Sequence, residues 1–130
     1  MSRTGRFALP LAFVLLTGCS SSKPTQPTPS DVGQAQLQEV WDLYSAYANQ
    51  YKKPPAKSDD LKPLARGSAL GGRGLLDPNI VVLYGTPVGG SNVLAYHKDA
   101  ETTGGLVLLA DGRIETMSAD EFKAAPKTGK

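Results

Sequence analysis

The chain has 130 residues and is nearly balanced in charge, with 14 Lys and Arg against 12 Asp and Glu. This length is enough for one domain, and the scattered charges exclude the basic surface typical of proteins that bind nucleic acid. The single cysteine excludes an internal disulfide, so the fold has to be stabilised by its apolar core.

The first residues predict a signal segment that is removed from the mature protein. Arg3 and Arg6 precede an apolar stretch over residues 7–16, which is too short to span a bilayer as a helix. Leu16-Thr17-Gly18-Cys19 then places small residues directly before the cysteine. These residues resemble the lipobox of bacterial lipoprotein precursors. The resemblance implies cleavage after residue 18 and attachment of a diacylglyceryl group and a further acyl chain, such as palmitate, to Cys19.

Lipidation of Cys19 determines where we expect the protein to lie. Several acyl chains on one residue hold a protein stably on a membrane without spanning it. Cleavage removes Arg3 and Arg6 and leaves 12 cationic and 12 acidic residues, so the predicted membrane attachment depends on the lipid. Ser20 after the cysteine resembles lipoproteins that pass to the outer membrane, which implies a location facing the periplasm. The alternative is an ordinary secretory signal in which the cysteine is coincidental.

The chain is predicted to divide into a signal peptide over 1–18, a lipidated cysteine and tether over 19–30, a domain over 31–125 and a disordered tail over 126–130. The tether prediction depends on residues 20–29, which contain three prolines and no large apolar residue. Such a segment favours extended, polyproline-like conformations.

The domain is predicted to open with a long helix that has Ser30 as its N-cap and ends before Pro54. Apolar residues at helical spacing predict the core-facing stripe: Leu37, Val40, Trp41, Tyr44, Ala48 and Tyr51. The polar residues fall mostly between them and predict the exposed side: Gln36, Gln38, Glu39, Asp42, Asn49 and Gln50. A ligand platform or a membrane-facing surface is the alternative for the aromatic stripe, but aromatic residues at this spacing favour a core.

A second, shorter helix is predicted to start with Ser58 as its cap and to be limited in length by Pro63. Asp59 and Asp60 are expected to interact with the helix dipole, because consecutive helical side chains point in different directions and do not form a metal pair. The glycine-rich segment over 67–74 predicts a flexible loop. It lacks the Lys-Ser/Thr ending of a phosphate loop and does not follow a strand.

Four β-prone segments follow, over residues 80–84, 92–98, 106–110 and 113–117. Asp111-Gly112 predicts a two-residue type I′ turn, which pairs Leu109 with Ile114 and Val107 with Thr116 on one face, leaving Leu108, Arg113 and Glu115 on the other. Ser118 and Glu121 predict a capping box for a last short helix through Ala125. The order of elements predicts an α+β domain in which the long helix packs on an antiparallel sheet of three to four strands.

Residues near the C-terminus carry a family resemblance. His97, followed by Gly104-Gly105-Leu106-Val107-Leu108-Leu109-Ala110-Asp111-Gly112-Arg113-Ile114, resembles the C-terminal signature of prepilin-like proteins, in which nine residues separate a His from Asp-Gly. Thirteen residues separate them here. The helix over 37–51 and the segment over 58–64 resemble the corresponding parts of type II secretion pseudopilins. The resemblance covers residues 35–122 and implies a pilin-like globular domain. It does not include the long apolar helix that forms the core of a pilus fibre.

Few residues are candidates for chemistry. His97 is the only histidine and has no evident partners for a triad or a metal site, so no catalytic residue and no cofactor are predicted. Some pseudopilins hold calcium between their strands, and the resemblance makes oxygen donors in these loops weak calcium candidates: Asp99, Glu101, Thr102 and Asp111.

Two functions are compatible with these features. The first is a non-enzymatic lipoprotein with a structural or protein-interaction role, accessory to a secretion or pilus-like apparatus and bound to an envelope protein. The second is a tethered module that binds calcium or a small ligand through the glycine-rich loops over 67–74 and 85–90. An enzyme is a third and weaker reading.

Overall fold

A computed structural model describes residues 28–129. The predicted signal peptide, Cys19 and most of the predicted tether lie outside the described residues. The helices are α1 (Pro29–Tyr51), α2 (Ser58–Ala65), α3 (Arg73–Leu76) and α4 (Ala119–Ala124). The strands are β1 (Ile80–Val82), β2 (Val93–His97), β3 (Gly105–Leu109) and β4 (Ile114–Met117), and a 3-10 turn covers Lys98–Glu101. The strands form one antiparallel sheet in the order β1-β2-β3-β4, with α1 packed on it, which confirms the predicted α+β class.

Helix α1 begins earlier than the sequence predicts. Thr28, and not Ser30, is the N-cap: its hydroxyl accepts from the Asp31 N–H at 3.2 Å, while the Asp31 carboxylate accepts from the Thr28 N–H at 2.9 Å. Pro29 occupies the first helical turn, where its missing N–H costs no hydrogen bond. Residues 28–30 therefore belong to the start of the helix and not to the predicted tether. The helix ends before Pro54, as predicted, but its last residue is Tyr51, and Lys52 in the left-handed conformation (φ 57) forms its C-cap.

The buried stripe of α1 matches the prediction at its centre and differs at its end. Leu37, Val40 and Tyr44 are fully buried, and Trp41 is half-buried. Two residues absent from the predicted stripe, Leu43 and Tyr47, are buried as well. Tyr51 is 53% exposed, and its ring lies 4.4 Å from that of Tyr47. The core therefore covers the middle of the helix and stops one turn before its end.

Both faces of the sheet are covered, by different elements. On the first face, α1 packs against a cluster that includes Ile80, Ala95 and Leu108. On the second face, Phe122 of α4 packs with the remaining apolar residues of β2 and β3: Val93, Tyr96, Val107 and Leu109. The central strands are consequently apolar on both sides. Their sequence therefore does not alternate between apolar and polar residues and does not indicate which residues face the long helix.

The β3–β4 hairpin differs from the predicted type I′ turn. It has a three-residue loop, in which the Gly112 N–H donates to Leu109 O at 3.0 Å and the Leu109 N–H donates to Arg113 O at 2.8 Å. Gly112 has a positive φ of 92°, whereas Asp111 does not, so the turn needs only one left-handed residue. Leu108 pairs with Ile114 and Leu106 with Thr116. The predicted pairing was therefore wrong by one residue, which moves Leu108 from the predicted outer face to the face under α1.

The caps of the two short helices give one correction and one confirmation. Ser58 is the first residue of α2 and does not cap it. Instead, the Asp60 carboxylate accepts from the N–H groups of Ala56 and Lys57 at 2.9 and 3.2 Å. Pro63 lies inside α2 and does not end it. Ser118 caps α4 as predicted, in a capping box with Glu121.

Residues 126–128 are exposed, but hydrogen bonds hold the segment 126–129 beside the sheet, in contrast to the disordered tail predicted over 126–130. The carbonyl of Pro126 accepts from the Val93 N–H at 2.9 Å. The Lys127 ammonium lies 4.2 Å from the centre of the Phe122 ring and donates to the Phe122 carbonyl at 2.5 Å. Gly129 lies against Thr86 and Leu83. This segment continues the cover that α4 provides on the second face.

Candidate functional site

The glycine-rich segment predicted to be a flexible loop is folded around a carboxylate. Glu39 was predicted to be exposed, but it is only 5% exposed and points into the loop over 68–74. One carboxylate oxygen accepts from the Ser68 hydroxyl at 2.5 Å and from the Gly72 N–H at 2.8 Å. The other accepts from the Gly74 N–H at 2.8 Å. These three hydrogen bonds join α1 to the loop.

The packing of this loop on its neighbouring helices requires glycine at two positions, Gly74 against α1 and Gly72 against α2. A β-carbon at Gly74 would collide with the backbone carbonyl of Gln36 and touch Val40. Gly72 has a positive φ of 83°, and a β-carbon there would lie 2.9 Å from that of Ala65. A side chain at Gly74 would therefore push α3 away from α1, whereas one at Gly72 would push the loop away from α2, and either change would disturb the hydrogen bonds to Glu39.

The environment of Glu39 keeps it ionised. Burial acts to raise the pKa of this carboxyl. The Gly74 N–H, the Ser68 hydroxyl, the Gly72 N–H and the positive charge of Arg73 outweigh that effect, so the pKa of Glu39 lies below its usual value. The side chain therefore occupies the position that an external anion would take. The Gly72 and Gly74 N–H groups and the Ser68 hydroxyl of this predicted ligand-binding loop therefore already have Glu39 as their acceptor.

The outer side of the same loop forms a groove with α2 and α3. The groove has a volume of about 290 Å³ and is lined by Ser58, Lys62, Ala65, Arg66, Gly71, Gly72, Leu75 and Leu76. Leu76 is 75% exposed at its edge. Two cations, Lys62 and Arg66, line it as well. An apolar floor with a cationic rim suits an apolar group that carries negative charge, and it contains no pair of side chains arranged for proton transfer.

His97 lies at the end of β2, under the first turns of α1. Its Nε2 atom is buried and has no hydrogen-bond partner among residues 28–129. A β-carbon built on Gly33 would lie 2.9 Å from this atom. The pKa of Asp77 is below its usual value, mainly because the Asn79 N–H donates to the carboxylate. This hydrogen bond, with a smaller contribution from the Gln36 amide, outweighs the effect of burial. Within residues 28–129, no nucleophilic side chain is hydrogen-bonded to the His97 imidazole. The geometry is therefore that of a histidine packed between α1 and the sheet, and not that of a catalytic pair.

The weak calcium candidates do not come together. Asp99 and Glu101 lie in the 3-10 turn before β3, whereas Asp111 follows the end of this strand, so that about 15 Å of strand lies between them. Glu101 accepts from the Tyr96 hydroxyl at 2.6 Å, and Asp111 accepts from Arg113 Nε at 2.7 Å. Within the described residues, no three His, Cys, Asp or Glu side chains are placed to hold one metal ion.

Sequence reasoning missed Glu39 and the groove. A glutamate between apolar positions of an amphipathic helix has the pattern of an exposed residue, and its partners lie about thirty residues further along the chain. Ser68, Gly72 and Gly74 offered one signal, because a compact loop with free N–H groups favours a carboxylate. Nothing in the pattern shows which carboxylate is used.

No helix within residues 28–129 is long and apolar enough to cross a membrane. Comparison of the chain with protein-family models, with curated proteins and with solved structures gives no match. The lipobox and the pseudopilin resemblance therefore remain predictions from the sequence, and the site is defined by its geometry alone.

Proposed function

We propose that the protein is a lipid-anchored component of the bacterial cell envelope, with the outer membrane as its predicted location. In this proposal its α+β domain is a non-enzymatic structural or protein-interaction domain, accessory to a secretion or pilus-like apparatus. The observation that carries the proposal is the sequence Leu16-Thr17-Gly18-Cys19 behind a short apolar segment and two arginines.

The way the domain uses its acidic groups supports an interaction role. Six carboxylates of the described residues accept from backbone N–H groups of the same chain: Asp31, Glu39, Asp60, Asp77, Asp111 and Glu121. Each of these carboxylates therefore has a structural role.

The most exposed large apolar side chain of the described residues is Leu76, at the rim of the groove. A surface of this kind suits contact with another protein.

The anchoring part of the proposal is tested by changing Cys19→Ala in the full chain. We expect the precursor to lose incorporation of labelled palmitate and to remain uncleaved or be released in soluble form. Ser20→Asp is the matched variant: it keeps the cysteine, so labelling should be retained, while density-gradient fractionation should move the protein to the inner membrane. Equal labelling and equal membrane partition of Cys19→Ala and wild type would overturn the proposal of a lipid anchor.

The interaction part is tested by cross-linking in intact cells, with a photo-reactive residue introduced at Leu76. A defined cross-linked species containing an envelope protein is the expected result. Placing the same probe at Lys123, exposed on α4 and on the opposite side of the sheet, gives the control. Cross-linking that is equal at both positions, or absent at both, would contradict an interaction surface at the groove.

A further inference from the structure

We propose that the groove between α2 and α3 binds a partner protein through an acidic segment in which a large aliphatic side chain lies beside a carboxylate. This inference rests on the proposed function, because it assigns a chemical class to the partner of that interaction domain.

The shape and lining of the groove favour an aliphatic side chain. Ala65, Leu75 and Leu76 provide apolar lining, and the volume of about 290 Å³ is large enough for a leucine-sized group. Leu76 leaves three quarters of its side chain in solvent, 75% exposed, so its contact with a partner would remove a large apolar area from water. A concave site contacts a bound side chain on several sides, whereas a flat lipid surface would contact the groove only at its edge.

The charges of the groove favour a carboxylate as the neighbouring group. Lys62 forms an ion pair with Asp59, whereas no carboxylate of the described chain lies within ion-pair distance of Arg66. The loop N–H groups that would surround a phosphate are not free, because Gly71 donates to the Ser68 carbonyl and Gly72 to Glu39. Recognition of an anion therefore depends on the Arg66 guanidinium, which binds a carboxylate through paired hydrogen bonds.

The groove is also rigid before a partner arrives. The hydrogen bonds of Glu39 to Gly72 and Gly74 fix the loop that forms its wall, and the glycine contacts fix α3 against α1. A preformed site loses less conformational entropy when it binds a ligand. Selectivity for one class of peptide is then possible for a short contact surface.

A second copy of this chain is a poor occupant. The exposed large apolar residues of the described chain are Val32, Tyr51, Leu76 and Val88. Val32 and Leu76 have acidic neighbours in sequence. Asp31 is held by the cap at Thr28, and Asp77 accepts hydrogen bonds from the Gln36 amide and the Asn79 N–H. Within residues 28–129, each combination of an exposed aliphatic side chain and a neighbouring carboxylate has that carboxylate already held by hydrogen bonds of the same chain.

The proposal is tested by selecting a random-peptide display library against the full chain presented in nanodiscs of zwitterionic lipid. We expect the enriched peptides to combine Leu, Ile or Met with a nearby Asp or Glu. A synthetic copy of the best peptide should bind about tenfold more weakly to Arg66→Glu and to Leu76→Ser, and equally well to the control variant Lys123→Glu. Changing the acidic residue of the peptide to Lys should restore binding to Arg66→Glu.

Three results would overturn the proposal. The first is enrichment of peptides without acidic residues, or binding that is unchanged in Arg66→Glu and Leu76→Ser. The second is a dimer in sedimentation analysis that Leu76→Ser dissociates, which would make the groove a self-association surface. The third is loss of binding to anionic vesicles in the same variants, which would make it a lipid contact. If Cys19 proves not to be acylated, the released chain is used in solution, so failure of the anchor and failure of this proposal are read separately.

Discussion

Replacement of Glu39 by Gln tests whether the buried carboxylate holds the glycine-rich loop. The amide keeps one acceptor oxygen, but an NH₂ group replaces the other. In the wild type both oxygens accept from backbone N–H groups, so in the variant at least one N–H of Gly72 or Gly74 loses its acceptor. The remaining hydrogen bonds also lose the contribution of the negative charge. Hydrogen bonds to charged groups contribute about 1.5–3 kcal/mol each, and an unsatisfied buried donor costs about 1–3 kcal/mol.

We therefore expect Glu39→Gln to lower the free energy of unfolding by about 2–4 kcal/mol. That is a large part of the roughly 5–15 kcal/mol that stabilises a domain. For a domain of this size it corresponds to a decrease in Tm of about 10–20 °C. Asp42→Asn is the matched control on the same helix, because Asp42 is exposed and accepts one hydrogen bond, from the Gln38 amide at 3.0 Å. We expect that control to change Tm only slightly.

The pH dependence gives a second measurement of the same interaction. The pKa of Glu39 is lower in the folded chain than its usual value of 4.5. The stabilisation is therefore fully present above pH 4.5 and is lost as the pH falls through the folded-state pKa. In thermal melts followed by circular dichroism, the difference between wild type and Glu39→Gln should be constant near neutral pH and should shrink in acid. Equal melting of the two proteins at pH 7, or a difference that does not change with pH, would refute this account of the loop.

Three further predictions concern the hairpin, the histidine and the last helix. Gly112→Val should unfold the domain or nearly so in the same melts, because Gly112 has φ 92° and a β-carbon there would lie 2.7 Å from Trp41 Cε2. Trp41→Ala, in contrast, should lower the free energy of unfolding by about 3 kcal/mol and leave a cooperative transition. Gly33→Ala should lower Tm in the wild-type chain, because the added β-carbon collides with His97. In a His97→Ala background it should not lower Tm, because the collision is gone and alanine favours the helix. His97→Ala alone should change Tm little, and a decrease in Tm in both backgrounds would contradict the contact. Ser118→Ala should cost about 1 kcal/mol in denaturant unfolding, through loss of the cap on the Glu121 N–H, and no change would show that α4 does not depend on it.

The extent to which the fold can be predicted from sequence depends on how local its causes are. The end of α1 before Pro54 and the cap at Ser118 follow from signals within a few residues, and both are confirmed. The hairpin register is not local. Leu108 and Leu109 are both buried, on opposite faces of the sheet, because Phe122 covers the second face. Alternation therefore cannot indicate which one faces α1, and the Asp-Gly pair is compatible with both loop lengths.

The candidate site is less predictable than the fold for the same physical reason. Glu39 is buried because Ser68, Gly72 and Gly74 replace the water around its carboxylate, and these residues become neighbours only when α3 folds back on α1. The groove is formed by the outer side of that contact and by Arg66 at the end of α2. Single-sequence patterns contain the donors and the acceptor but do not specify which of them meet.

The closing of the second sheet face has a consequence for the order of folding. Phe122 and the Pro126 carbonyl contact β2 at Tyr96 and Val93, so this layer is complete only after residues 122–126 have left the ribosome. Until then, β2 and β3 expose an apolar face that a holding chaperone can bind. The proposed function requires the chain to cross a membrane before it folds, and a fold that is completed by its final helix would delay stable folding until that crossing has finished.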